Sequence, residues 1–240
     1  MTAPVYLPRR SARSLFVQLR GLRYHLLAWG DASLVTPQRP PLLLLHGWMD
    51  VAASFQFMVD ALATDRYVLA ADWRGFGLSD AGGSDSYWFP DYLGDLDALL
   101  DHPDLAELAL VGEADAVPGH SMGGNVVMLY AGIRPERIRK LINLEGFGMP
   151  QTQPEQAPKR YRQWLDELRE PGQLRPYDSL AEAALRLRKT NPLLSEDQAA
   201  WLAPHWSRQD EDGQWQILGD PAHKRVNPLL YRVDEVLACW

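Results

Sequence analysis

Four consecutive leucines, Leu42–Leu45, stand between Pro41 and His46-Gly47. A run this short and uniformly apolar cannot turn alternate side chains to water, so it reads as a strand buried on both faces, as in a parallel sheet covered by helices. The neighbouring pattern agrees. Asp50 is placed to cap a helix in which Phe55, Met58, Val59 and Leu62 recur at helical spacing, and residues 67–71 read as another buried strand. Leu93, Leu96, Leu99 and Leu100 mark a helix, residues 105–111 a strand, residues 125–133 a helix and Leu141–Leu144 a strand. Upstream, residues 16–19 and 24–29 flank Gly21 and predict a hairpin. The expectation is an α/β fold, a mostly parallel central sheet flanked by helices.

The pattern changes near Pro150, which divides the chain into a core, residues 1–150, and a helical cap or lid segment, residues 151–240. Tyr161, Trp164, Leu165 and Leu168 form one helical stripe. Ser179 with Glu182, and Ser195 with Gln198, are capping-box starts, the first leading into Leu180, Ala183, Ala184 and Leu187. Five of the nine tryptophans lie in this half (Trp164, Trp201, Trp206, Trp215 and Trp240), where packing accounts for them more simply than ligand contact.

Chemistry concentrates in Gly119-His120-Ser121-Met122-Gly123-Gly124. The G-x-S-x-G pattern puts a serine on a tight strand-to-helix turn, exposed at a helix N-terminus whose dipole and free N–H groups favour developing negative charge. The bland alternative is a glycine-rich turn with Ser121 as an ordinary helix cap. Two more motifs bear on the choice: His46-Gly47-Trp48 directly after the leucine strand, and Asp72-Trp73-Arg74-Gly75-Phe76-Gly77-Leu78-Ser79-Asp80 after the next. With all three in this order, the chain from about residue 17 to residue 240 resembles the α/β-hydrolase superfamily, in its cap-bearing, esterase-like serine hydrolase branch.

The resemblance implies Ser121 as nucleophile, with the backbone N–H groups of Met122 and Trp48 as oxyanion hole. Donors of that kind are worth roughly 3 kcal/mol each. It implies bracing roles for Asp72, Arg74 and His46, and a His120 side chain turned away from the reaction path. Glu145, after Leu141–Leu144, stands at one of two places where the superfamily puts its acid, and is either that acid or a loop-bracing carboxylate. Relatives with an aspartate nucleophile, the haloalkane dehalogenases and epoxide hydrolases, fit Ser121 less well.

The sequence departs from the family pattern in two ways. The family order is Ser, acid, then His after the last strand, yet His205 and His223 are the histidines that follow Ser121, and both lie in the cap segment. Two further strand–helix units, roughly 60 residues at ~30 per unit, are expected and not found, so Leu141–Leu144 should form an exposed apolar sheet edge prone to pair with another chain. Either His205 or His223 would have to stand in as base. Residues 113–119 also interrupt the run into the serine, and Pro118 cannot donate to a central ladder, which predicts a bulged or displaced nucleophile.

Composition excludes several classes of function. Asp plus Glu total 31 against 24 Lys plus Arg, a net charge of −7, which gives no attraction for nucleic acid or an anionic membrane. Cys239 is the single cysteine, so no intrachain disulfide can form. No apolar run approaches a membrane span and the N-terminus has no signal-like core, so a cytoplasmic setting is expected. No metal spacing or nucleotide fingerprint is present, and no cofactor is implied. The expected function is hydrolysis of a small-molecule carboxylic ester through an acyl-enzyme on Ser121, with a homo-oligomer formed through the sheet edge as an expected partnership. Thioesterase, acyltransferase and C–C hydrolase chemistry share that nucleophile. The alternative is a non-catalytic or weakly active protein of this fold that binds an acyl or carbonyl ligand or a partner, because the family histidine is missing.

Overall fold

The leucine run lies in the middle of the sheet. In the computed structural model, which describes residues 5–105 and 117–240, the strands are β1 (Arg13–Leu19), β2 (Leu22–Trp29), β3 (Leu42–Leu45), β4 (Val68–Ala71), β5 (Val117–His120) and β6 (Leu141–Leu144). They form one sheet in the order β1-β2-β4-β3-β5-β6. β3 pairs in parallel with β4 and β5, and β5 with β6, while β2 runs antiparallel to both β1 and β4. The hairpin expected around Gly21 closes through Arg20 and Gly21, both at positive φ (49° and 82°), the twist that suits a two-residue hairpin turn. The leucines alternate: Leu43 and Leu45 join the core on one face, Leu42 and Leu44 that on the other. Burying one such side chain contributes roughly 1.5–3 kcal/mol, so the run fixes the sheet's centre from both sides.

Helix α1 (Gln56–Ala61) packs Val59 against the second face and is entered by a 3-10 turn, Ala52–Phe55. Asp50 accepts from the Val51 N–H at 2.9 Å and from the Ser54 hydroxyl, so it fastens this entry without being the formal cap. Helices α2 (Phe89–Leu100) and α3 (Met122–Ile133) cover the first face through Leu96, Leu99, Val126, Val127 and Tyr130.

The strand expected at residues 105–111 lies, apart from Leu105 in a 3-10 turn, outside the described residues. So does the detour at residues 113–116, as does the expectation for the His120 side chain. The strand that leads into Ser121 is β5, and it contains Pro118. Pro118 is accommodated inside the ladder with β6, for a geometric reason. The Ser121 N–H bonds the Leu144 carbonyl of β6 at 3.0 Å. Strand alternation therefore turns the position of the missing Pro118 donor toward β3, where the ladder is a single pair, Leu45 with Gly119. β6 is outermost in the sheet, with Ile142 and Leu144 46% and 40% exposed, the apolar edge the sequence predicts.

Beyond Pro150 lie α4 (Ala157–Glu167), α5 (Leu180–Thr190), α6 (Glu196–Trp206) and α7 (Val233–Cys239), with a small sheet of β7 (Pro176–Tyr177), β8 (Ser207–Gln209) and β9 (Trp215–Ile217) that the sequence pattern did not reveal. Ser195 and Gln198 form a reciprocal capping box. Ser179 caps α5, but Glu182 reaches back to the Asp178 N–H rather than to Ser179. α5, α6 and the small sheet build a core of their own from Ala183, Leu187, Leu202, Trp206 and Ile217, which reaches Val51 and Ala53 beneath α1. The α4 stripe is helical as expected, yet Tyr161 and Leu165 stay exposed. No helix among the described residues is long and apolar enough to cross a membrane.

Candidate active site

Ser121 is the hinge between β5 and α3. Its backbone sits at φ 51°, ψ −110°, a conformation that a residue with a side chain adopts only where its surroundings impose it. They do so through glycines. A Cβ on Gly123 would lie 2.3 Å from the Leu45 carbonyl oxygen and 2.7 Å from that of His46, and one on Gly146 would lie 2.5 Å from Gly124 Cα. Small residues at these points let the start of α3 settle onto the ends of β3 and β6, which forces the sharp turn at Ser121. The Ser121 side chain makes no capping bond to its helix, unlike Ser179 and Ser195, so the ordinary-cap reading does not describe it.

Met122 is the first residue of α3, and its N–H has no intrahelical acceptor. The Trp48 N–H donates to no described residue either. The Trp48 ring is half exposed, and its Nε1–H is tethered to the His223 carbonyl at 3.3 Å. Behind it His46 is fully buried. Its Nε2 accepts the Trp73 N–H at 3.0 Å, its Nδ1 donates to the Gly47 carbonyl at 2.7 Å, and its own carbonyl accepts the Trp73 Nε1–H at 3.0 Å. His46 thus braces the His46-Gly47-Trp48 loop against the loop after β4.

Glu145 leaves β6 as Ser121 leaves β5, one position beyond the paired His120 and Leu144. It too has a positive φ, 68°, and its side chain is exposed, with no hydrogen-bond partner among the described residues. The turn around it is held by Asn143, which accepts from the Gly146 N–H at 2.7 Å and donates to its carbonyl at 2.8 Å. Sequence reasoning missed Asn125. It donates to the Ser121 carbonyl at 3.1 Å and accepts the Gly148 N–H at 2.6 Å, clipping the serine turn to the loop that carries Glu145. Its one signal is being a polar residue in an otherwise apolar helix.

Asp72 and Arg74 are buried and occupied. Asp72 accepts from His25 Nδ1 at 2.7 Å and from the N–H groups of Ala52 and Leu78 at 2.7 and 2.9 Å. Burial opposes its charge, but these bonds outweigh it and hold the carboxyl below the usual carboxylate range. Arg74 bonds Asp95 through Nε and Nη2, both at 2.5 Å, while Tyr24 and Arg20 complete the surroundings of that carboxylate.

Four histidines have described side-chain positions that settle their part. His223 is sandwiched between Phe76 and Tyr87 with ring centroids 3.8 Å away on each side. It meets the Arg74 carbonyl at 3.1 Å and the Tyr92 hydroxyl at 3.3 Å, and burial depresses its pKa to about 4. His205 packs on Trp201. His25 and His46 are engaged as above. None of the four bonds Ser121, and the stacked His223 is not free to swing in as a base.

A cavity of about 540 Å³ opens beside Trp48, walled by Met49, Phe57, Leu187, Leu194 and Trp206. Trp206 lines it and donates its Nε1–H to the Met49 carbonyl at 3.0 Å. Trp201 lines a different cavity, behind the β1–β2 hairpin.

Comparison with known proteins fits this geometry. Residues 40–217 match the model of the alpha/beta hydrolase fold family. A serine hydrolase-like protein from Danio rerio is 28% identical over 209 residues, 82% of this chain and 60% of that protein. A serine hydrolase-like protein from Homo sapiens is 35% identical over 118 residues, 49% of this chain and 53% of that protein, so the chain spans about half to three-fifths of these relatives. A thioesterase domain from the curacin biosynthetic pathway superposes with a TM-score of 0.78 at 24% identity, covering 95% of this chain and 78% of that one, a likeness of fold. The chain belongs to the α/β-hydrolase fold family.

Proposed function

We propose that this chain is a serine hydrolase of carboxylic esters that works through an acyl-enzyme on Ser121. The observation that carries the reading is the strained Ser121 backbone at the head of α3, with its hydroxyl unspent on capping. In the proposed reaction the Ser121 Oγ attacks the ester carbonyl, and the C–O bond to the alcohol breaks as the acyl group passes to the serine and the serine proton ends on the departing alcohol. Met122 and Trp48 offer their N–H groups to the developing oxyanion, and water then releases the acid. Glu145, one strand over, is the proposed carboxylate of the site. The cavity beside Trp48, lined by Trp48 though not by Ser121, is the proposed place for a small or medium acyl group.

The histidines favour a second reading. Since His25, His46, His205 and His223 are all directed elsewhere, none of these four supplies Ser121 with an imidazole base. Oxyanion stabilisation and binding alone leave roughly 10³–10⁴-fold catalysis over water when a triad member is lost. A weakly active protein that holds acyl or carbonyl compounds at Ser121 is therefore the alternative. Hydrolysis of p-nitrophenyl esters from acetate to octanoate, compared between the protein and Ser121→Ala, tests the proposal. A fall in turnover when the hydroxyl is removed supports it, and equal rates in both proteins refute it in favour of binding.

A further inference from the structure

A second serine lies at the end of a chain of polar groups remote from Ser121. β1 and β2 pair Ser14 with Leu27 and Phe16 with His25, so Ser14 and His25 share one face of the hairpin. Ser14 Oγ is 3.0 Å from His25 Nε2, and His25 Nδ1 is 2.7 Å from Asp72 Oδ2. Asp72 is buried, and the backbone N–H groups of Ala52 and Leu78 already commit it to the ionised, accepting form. The Nδ1 facing it therefore carries the proton. In the neutral ring Nε2 keeps its lone pair, and the Ser14 O–H donates to it. Nucleophile, base and orienting carboxylate thus follow one another in the order, and through the ring nitrogens, that an activated serine needs. His25 and Asp72 are buried while Ser14 is exposed, so the base is shielded and the hydroxyl is reachable.

The array opens on a cavity of about 430 Å³ lined by Ser14, His25, Leu27, Val51, Trp201 and His205. His205 has no hydrogen-bond partner among the described residues, and burial lowers its pKa, which keeps its ring a neutral donor at pH 7. Its ring, with Ser11 and Gln56, is among the polar groups of the cavity wall.

We propose that Ser14 is a second nucleophilic site, activated by His25 and oriented by Asp72, which takes electrophilic esters with a small apolar acyl group. Ser14 Oγ forms a bond to the carbonyl carbon as its proton passes to His25 Nε2. The ester C–O bond then breaks, and the leaving alcohol takes the proton from Nε2, leaving acyl-Ser14 and a neutral ring. Asp72 stays ionised throughout. The site lies at the far end of the sheet from β5 and does not depend on the reading of Ser121.

The test uses the full chain carrying Ser121→Ala and a fluorophosphonate, whose fluoride leaves as the serine bonds phosphorus, with adducts mapped by peptide mass spectrometry. Ser11, exposed three residues away and bonded to no histidine, is the internal control. The expected result is an adduct on Ser14 that forms much faster than any on Ser11, and that slows by about 100-fold in His25→Gln, the low end of a general base's contribution. The same comparison in urea, which needs no further variant, should bring Ser14 down to the rate of Ser11. Labelling of Ser14 no faster than Ser11 in the folded protein would overturn the proposal and leave Ser14–His25–Asp72 a purely structural hydrogen-bond chain.

Discussion

His223 shows what a side chain can do for a site without touching substrate. Its carbonyl holds the Trp48 indole, and its ring fills the gap between Phe76 and Tyr87 that Gly75, at φ 69°, leaves open: a Cβ there would sit 2.7 Å from His223 Nε2. The folded protein keeps this ring neutral down to about pH 4, whereas the unfolded chain takes up the proton near the ordinary value of 6.5. Unfolding therefore binds a proton throughout that window, and stability falls as the pH is lowered through it, by about 3 kcal/mol from this group. His205, also depressed, adds in the same direction. Urea unfolding at a series of pH values from 7 to 4 should show the loss. His223→Phe, which keeps a stacked ring but cannot titrate, should flatten most of it. An unchanged slope in that variant would mean that the ring is not held neutral. Arg74 and Asp95 lend themselves to a separate check. Asp95 is fully buried, so Arg74→Leu leaves its carboxylate with the neutral Tyr24 hydroxyl and the half-exposed Arg20 as partners and should cost about 3–5 kcal/mol in urea unfolding at pH 7.

Among the elements, the turn between β5 and α3 depends on backbone approach more than on side-chain contact. Gly123→Ala would drive a methyl group into the Leu45 and His46 carbonyls and push α3 off the end of β3. Displacements near 1 Å at a reacting group can cost 10²-fold, so covalent labelling of Ser121 should slow by about that factor while far-UV circular dichroism stays near that of the parent. Labelling at the parent's rate would show that the glycine is not what sets the turn. This turn was legible in the sequence because glycine at such spacing has few other uses. Pro118 fits β5 for an equally local reason: the position of its missing N–H faces β3, where the ladder is a single pair, and not the continuous ladder with β6, and a single sequence does not say which way that is. Glu145 was singled out by its place after a strand. Asn125, which ties Glu145's loop to Ser121, carries no comparable mark.

At the level of the whole molecule, the segment beyond Pro150 is sewn to the sheet beneath it. The Gly77 N–H bonds the Leu218 carbonyl at 2.9 Å, the Asp220 N–H bonds the Gly75 carbonyl at 2.7 Å, and the Tyr87 hydroxyl bonds Asp220 Oδ2 at 2.6 Å. Val51 and Ala53 belong to the core that α5 and α6 build. Tryptophan fluorescence, which samples both halves, and far-UV circular dichroism should therefore give one coincident unfolding transition in urea. Two separated transitions would mean that the halves fold independently. Strands β3 and β4 and the helices packed on them were legible because each buries an uninterrupted or periodic apolar face, whereas β5, Val-Pro-Gly-His, carries no such pattern and was read as an interruption. The small sheet at β7, β8 and β9 was not, since strands of two or three residues are too short to carry a period. The helical stripe of α4 was seen, but its sequence does not show that Tyr161 and Leu165 remain exposed.

The central claim is that Ser121 is a nucleophile held ready by its backbone. The most direct test is to mix the protein with p-nitrophenyl acetate, quench in acid at intervals and map the acetylated peptides. An acetyl group that appears on Ser121 before or during turnover, and is absent in Ser121→Ala, is the predicted result. A Ser121 that stays unmodified at every time point, while ester is consumed no faster than in buffer, would contradict the account.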